Sequence, residues 1–186
     1  RLRGHGHGSD IAAPICAGLG AEDAARAVGD ASHQGVIGVI APNELVVSYD
    51  DFAKNLSVGP DTALVLLNEV QDPHNVGAVI RSAAAFGARA AIVQDRRTPP
   101  LSGALAKAAA GAVETLPCVK AVNISRALEA LKDLGYFCAG LSGDSGEPIT
   151  KLPTDRPVAV VLGAEGAGLR QLVGETCDAR FRIPID

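Results

Sequence analysis

From Asp61 onward the sequence alternates short apolar runs with stretches whose apolar residues recur every three or four positions. That alternation commits a chain to an α/β fold with a mainly parallel sheet flanked by helices. Parallel strands need crossover connections, and helices then cover both apolar faces of the sheet. Residues 62–70 (TALVLLNEV) predict a buried strand. Residues 75–86 predict a helix with Val76, Val79, Ile80, Ala83 and Phe86 on one face, Asn75 placed to cap its start and Gly87 to stop it. A strand at 90–93 and an Ala-rich helix at 101–109 follow, then a short strand at 113–119 with Pro117 near its end. Residues 123–134 put Ile124, Ala127, Leu128, Leu131 and Leu134 on one helix face before Gly135. Strands are expected at 136–141 and 158–162 across a turn-rich loop, then a helix at 169–177 and a last strand at 181–185.

Residues 1–60 read differently. They are rich in Gly and Ala, with strand candidates at 35–40 and 44–48, and are too few to hold a core of their own. A boundary is expected at 57–60, where Gly59-Pro60 punctuates the chain, so that 61–186 forms the main domain. The chain begins at Arg1 and has no Met, which reads as a fragment or a processed chain. Cys16, Cys118, Cys138 and Cys177 show no C-x-x-C spacing and read as free thiols in a reducing cytoplasm. His5 and His7 have no third ligand nearby, so no metal is expected. There is no run of about 18 apolar residues and no signal pattern, so no membrane association is expected. Aromatic residues make up 3% with no Trp, which excludes nucleic-acid binding built on stacking platforms. The net charge of −4 argues against a dedicated duplex-DNA binder. Yet residues 81–126 carry Arg81, Arg89, Arg96, Arg97, Lys107, Lys120 and Arg126 against only Asp95 and Glu114. That strip is either a solvated cluster or a phosphate-contacting surface.

Two segments carry the chemistry. The first is NEVQDPHNVGAVIR, residues 68–81. A strand runs into a polar, Pro-containing loop and then a helix, a place that lies at the carboxyl edge of a parallel sheet, where α/β proteins bind ligands. Asn75 is either a plain cap or a site residue. Gly77 admits another backbone or a ligand at close range. Arg81, one turn beyond, is either a surface ion-pair partner or a ligand contact. The second is VAVVLGAEGAGL, residues 158–169. Its glycines follow G-x-x-G-x-G, not G-x-G-x-x-G, and no acid follows a further strand about 20 residues on, so the spacing is wrong for a nicotinamide dehydrogenase. No G-K-[ST] is present either. Glu165 between glycines would repel phosphate and suits a ligand offering donors or positive charge.

Together DPHNVGAVIRSAAAFGA (72–88), VVLGAEGAGL (160–169) and RIPI (182–185) resemble the SpoU (TrmH-like) family of RNA ribose methyltransferases, within the SPOUT superfamily. HQGVIGVI (33–40) is similar to the lead-in segment of the bacterial branch that acts on ribosomal or transfer RNA, and KAAAGAVE (107–114) to the family's middle segment. The resemblance spans residues 33–185. It implies a trefoil-knotted α/β methyltransferase domain that works as a homodimer, uses S-adenosylmethionine and methylates a ribose 2′-hydroxyl in RNA. It implies catalytic roles for Asn75, Arg81 and Glu165. Leu141, Leu162, Gly163, Glu165, Gly166, Ile183 and Ile185 would hold the cofactor, and Arg81, Arg89, Arg96, Arg97 and Lys107 would contact RNA. Residues 1–60 would be a linker or remnant of an auxiliary RNA-binding domain.

Three features depart from the family pattern. The sequence stops at Asp186, before the place where a Ser-Leu-Asn-rich third motif, which completes the knot, pocket and much of the dimer contact in the family, would be expected. Ala109 stands where Ser is common, and Ile185 where Met is frequent. The missing motif supports a second reading, a catalytically silent SpoU-like module that only binds RNA or a partner. For the catalytic reading, the mechanism rests on positioning. Arg81 stays protonated, so it is expected to clamp the target phosphate and lower the hydroxyl's pKa rather than act as a base. Glu165 is expected to orient its loop or pair with a partner subunit.

Overall fold

Each apolar run becomes a strand where Val, Leu, Ile and Ala follow one another, as in a sheet buried on both faces. The computed structural model describes residues 46–101 and 103–185, which belong to one compact unit. Cys16, His5, His7 and the segment 33–40 lie outside the described residues. In chain order the elements are β1 Val46–Ser48, α1 Tyr49–Asn55, β2 Ala63–Leu67, α2 Pro73–Ala85, β3 Ala90–Gln94, α3 Ala104–Ala109 and α4 Ala112–Thr115. They continue with β4 Cys118–Ala121, α5 Ile124–Asp133, β5 Phe137–Leu141, a 3-10 turn Ile149–Lys151, β6 Val158–Leu162, α6 Gln171–Thr176 and β7 Ala179–Phe181.

Among the described residues the strands form one sheet in the order β1-β4-β3-β2-β6-β5-β7, with every pairing parallel. β1 and α1 lie before residue 61 and pack into this unit, β1 against β4. Side chains alternate across the pleat. Leu64, Leu66, Ile92 and Val161 turn to one face, where α5 buries Ile124, Ala127, Leu128 and Leu131 and α6 buries Val173. Leu67, Ala91 and Val93 turn to the other, against Val76 and Ile80 of α2 and Leu105 and Ala109 of α3. Each of these large side chains is worth about 1.5–3 kcal/mol on burial. Asn123 caps α5, its Oδ1 accepting from the Arg126 N–H at 3.2 Å.

Two elements differ from expectation. Residues 113–119 do not form one strand: 112–115 make a short helix, and β4 starts only after Pro117. Ala110 and Gly111 both adopt left-handed backbone, which reverses the chain and starts that helix, and Leu116 before the proline is extended. The last strand lies earlier than 181–185. Among the described residues β7 pairs only with β5, whose final residue Leu141 already faces Phe181, so that ladder ends there, and Pro184 has no N–H to extend one. No described helix is long and apolar enough to cross a membrane, and no described group of His, Cys, Asp and Glu is arranged to hold a metal.

Candidate active site

The chain leaves β2 toward β3 and β4 on one side, while β6 and β5 lie on the other. Strand order therefore reverses between β2 and β6, which opens a crevice at their carboxyl ends. The two strands stay paired to that edge, where the Asn68 N–H donates to the Leu162 carbonyl at 2.8 Å. The first motif begins at this edge, and the glycine-rich part of the second leaves β6 here.

Asn75 is not the cap of α2. Asp72 takes that role, its carboxylate accepting from the His74 N–H at 2.9 Å, and Pro73 fills the first helical turn. The Asn75 side chain is thereby free, and its Nδ2 donates to Glu165 Oε1. This bond joins the two motifs across 90 residues of sequence. Glu165 stands at the tip of a loop closed on itself: the Ala164 N–H donates to the Gly168 carbonyl at 3.0 Å, and the Gly168 N–H to the Ala164 carbonyl at 2.9 Å. Gly166 and Gly168 take φ of 76° and 65°, and a Cβ at Gly163 would run into the Gly168 backbone. The loop glycines thus shape the turn that presents Glu165. At Gly77 the close neighbour is another backbone: a Cβ there would lie 2.6 Å from the Ala108 Cβ and 2.7 Å from the Leu105 carbonyl oxygen of α3.

Leu141 and Leu162 end the neighbouring strands β5 and β6 and are half-buried. Gly163 and Gly166 follow in the loop, and Ile183 and Ile185 follow β7, 55% and 89% exposed. All six lie at the same sheet edge as Asn75 and Glu165. Arg81 does not meet that pair. It is exposed, seven residues beyond His74 and so on the same helical stripe, about 120° around α2 from Asn75. Among the described residues it forms no ion pair.

The basic strip is divided. Arg89 precedes β3 at the amino end, its N–H donating to the Ala63 carbonyl at 2.8 Å, whereas Arg96 and Arg97 follow the carboxyl end of the same strand. Lys107 is exposed on α3, and Lys120 pairs with Asp95 at 3.4 Å. Arg97 lies 2.8 Å from Glu69, which also lies 2.7 Å from Arg170. Both nitrogens approach Glu69 Oε1 off the hydrogen-bond axis, so the contacts are ionic rather than directional. Sequence reasoning missed Asn68, Glu69 and Arg170. Asn68 is 2% exposed, and its Oδ1 accepts from the Arg170 N–H at 3.1 Å. Its position directly after an apolar strand was the available signal. The three described thiols are held protonated: burial pushes Cys118 and Cys177 up to about 11, and burial with the nearby Asp178 pushes Cys138 up to about 12.

Residues 62–186 match the family model of the SpoU rRNA Methylase family. The chain belongs to that family. A Staphylococcus haemolyticus protein named for the TrmH family of tRNA/rRNA methyltransferases is 35% identical over 160 residues, covering 84% of this chain and 63% of that protein. The 23S rRNA (guanosine-2'-O-)-methyltransferase RlmB of Photobacterium profundum is 38% identical over 155 residues, covering 83% and 63%. The chain thus spans 63% of the length of these SpoU-family relatives. The SpoU methyltransferase AviRb of Streptomyces viridochromogenes, solved in complex with the cofactor AdoMet, matches with a TM-score of 0.65 and 25% identity over 72% of this chain and 52% of that one. An rRNA methyltransferase from Sinorhizobium meliloti matches in fold with a TM-score of 0.74 at 23% identity, covering 90% of this chain and 62% of that one. The SpoU segment begins at residue 62, while β1 and α1 of the same unit precede it.

Proposed function

We propose that this chain carries the catalytic unit of an S-adenosylmethionine-dependent enzyme that methylates a ribose 2′-hydroxyl in ribosomal or transfer RNA, acting in the cytoplasm as a homodimer. The Asn75–Glu165 bond carries this reading: it brings the two SpoU motifs to one crevice at a strand-order reversal.

The residues at that crevice fit the cofactor. The loop 163–168 has Glu165 as its only charged side chain, so nothing in it repels a sulfonium, and its closed turn leaves the backbone groups of Gly163 and Gly166 free for polar contacts. Leu141, Leu162, Ile183 and Ile185 offer apolar surface for an adenosine and a methionine chain. When bound, the cofactor supplies an electrophilic methyl group. The chain's own contribution is positional. Asn75 fixes Glu165 and with it the loop. Arg81, whose guanidinium has no ion-pair partner among the described residues, clamps the target phosphate and stabilises the hydroxyl's developing negative charge.

The test is incubation of the protein with methyl-tritiated S-adenosylmethionine and protein-free ribosomal RNA or tRNA, followed by digestion to nucleosides. The expected product is a 2′-O-methylnucleoside. Label confined to bases, or no label from either RNA, refutes the reading. Arg81→Lys, which keeps the charge but loses the fork, is expected to lower turnover about tenfold or more. Near-normal turnover would rule out the bidentate clamp.

A further inference from the structure

Asn68 and Glu69, which follow β2, hold one residue of a distant loop at two points. Asn68 Oδ1 accepts from the Arg170 main-chain N–H at 3.1 Å, and Glu69 Oε1 lies 2.7 Å from Arg170 Nε. The same oxygen lies 2.8 Å from Nη1 of Arg97, in the loop after β3. The two guanidinium nitrogens are therefore no more than 5.5 Å apart. Cations at that range repel unless an anion sits between them. Here the anion is the inner partner: the Glu69 side chain is 16% exposed, against 47% for Arg97 and 56% for Arg170. One carboxylate against two guanidiniums leaves a residual positive charge, and among the described residues most of the N–H fork of each arginine is unused. Glu69 holds this place at a φ of 61°, a left-handed conformation unusual for a residue with a Cβ and maintained by the contacts around it.

We propose that Arg97 and Arg170 form a subsite for one backbone phosphate of the RNA, and that Glu69 is the positioning residue that holds their guanidinium groups at the spacing of that phosphate. The RNA class rests on the function proposed above. Arg97 comes from the divided basic strip and Arg170 from the far end of the Glu165 loop, so the subsite would place RNA beside the proposed methyl-transfer crevice from both sides of β2.

Charge counting and positioning forecast opposite signs. Glu69→Gln removes one negative charge, so charge alone predicts tighter RNA binding. Loss of positioning predicts weaker binding. The experiment measures filter binding of protein-free ribosomal RNA across a range of salt concentrations for the wild type, Glu69→Gln, Arg97→Gln, Arg170→Gln and the double arginine variant. Glu69→Gln is expected to weaken binding about two- to fivefold, the scale of a lost half-exposed ion pair. Each arginine variant weakens it as well. The double variant flattens the salt dependence by only about the 0.7–0.9 slope of a single phosphate, because the two arginines share one. Binding by Glu69→Gln that equals or exceeds wild type overturns the proposal. If that variant fails to fold, Arg170→Gln decides, and unchanged affinity in it overturns the proposal equally. The tritium assay on the same wild-type protein separates the two readings. The expected binding pattern without methyl transfer keeps the subsite and removes the reaction, whereas methyl transfer with unweakened Glu69→Gln binding does the reverse. A wild type that binds no RNA overturns both.

Discussion

Gly77→Ala tests whether the site depends on the close approach of α2 and α3. The added Cβ would lie 2.6 Å from the Ala108 Cβ, 2.7 Å from the Leu105 carbonyl oxygen and 3.0 Å from the Ala109 nitrogen. Comfortable contacts of this kind lie at about 3.5–4.0 Å. None of the three atoms is the end of a flexible side chain, so α3 itself must move by about 1 Å. Val76, Ile80, Leu105 and Ala109, all 0% exposed, share that interface and lose contact as it opens. Overpacking of this sort costs about 1–3 kcal/mol. The better helix propensity of Ala returns at most about 1 kcal/mol. Because rigid atoms are in the way, the overpacking cost falls in the upper half of its range, about 2–3 kcal/mol, so the expected net loss is about 1–2 kcal/mol, read as a lower urea midpoint at unchanged slope. Methyl transfer should fall as well, because Asn75 sits two residues before the displaced position. Ala108→Gly makes the test sharper. Alone it costs about 1 kcal/mol as a helix glycine. In the Gly77→Ala background it removes the nearest clash and should raise stability, though not to the wild-type level, because the Leu105 carbonyl remains. A Gly77→Ala protein as stable as wild type, or an Ala108→Gly change that destabilises both backgrounds alike, would refute the reasoning.

Asn75→Ala and Glu165→Gln should each lower methyl transfer, and the double variant should be little worse than the poorer single one, since the two act through one bond; additive losses would show independent roles. Leu128→Ala, at a side chain 0% exposed on α5, should cost about 2–5 kcal/mol in urea unfolding, and a loss under about 1 kcal/mol would mean that face is not core. The buried thiols predict a pH dependence. Their folded-state values lie above the ordinary thiol value near 9, so the native state keeps their protons longer than the unfolded chain does. This contribution is complete below about pH 9 and is lost as pH climbs toward 11 and 12, so stability should decline across that window, and a flat profile from 8.5 to 11 would contradict it.

Legibility in the sequence divides along a physical line. β6 appears at its expected residues, and α5 within one residue at each end, because a buried parallel strand is an apolar run and an amphipathic helix repeats every 3.6 residues. The short helix at 112–115 escaped because Val113 and Leu116 suit a strand equally well, and because a left-handed Ala110 has no signal in its residue type. The identity of the α2 cap was legible: Pro73 favours the first helical position, which names Asp72 as the cap and leaves Asn75 to other work. Alternation of strands and helices shows that a parallel sheet forms, and it says nothing about strand order. Here the order sets β2 beside β6, although β3, β4 and β5 intervene in the chain. The Asp72 and Asn123 caps, made within one strand-helix unit, could be read locally, whereas Asn75–Glu165, Asn68–Arg170 and Glu69–Arg170 exist only through that adjacency. The residue types of both motifs were therefore visible from the start, while their pairing was a property of the strand order.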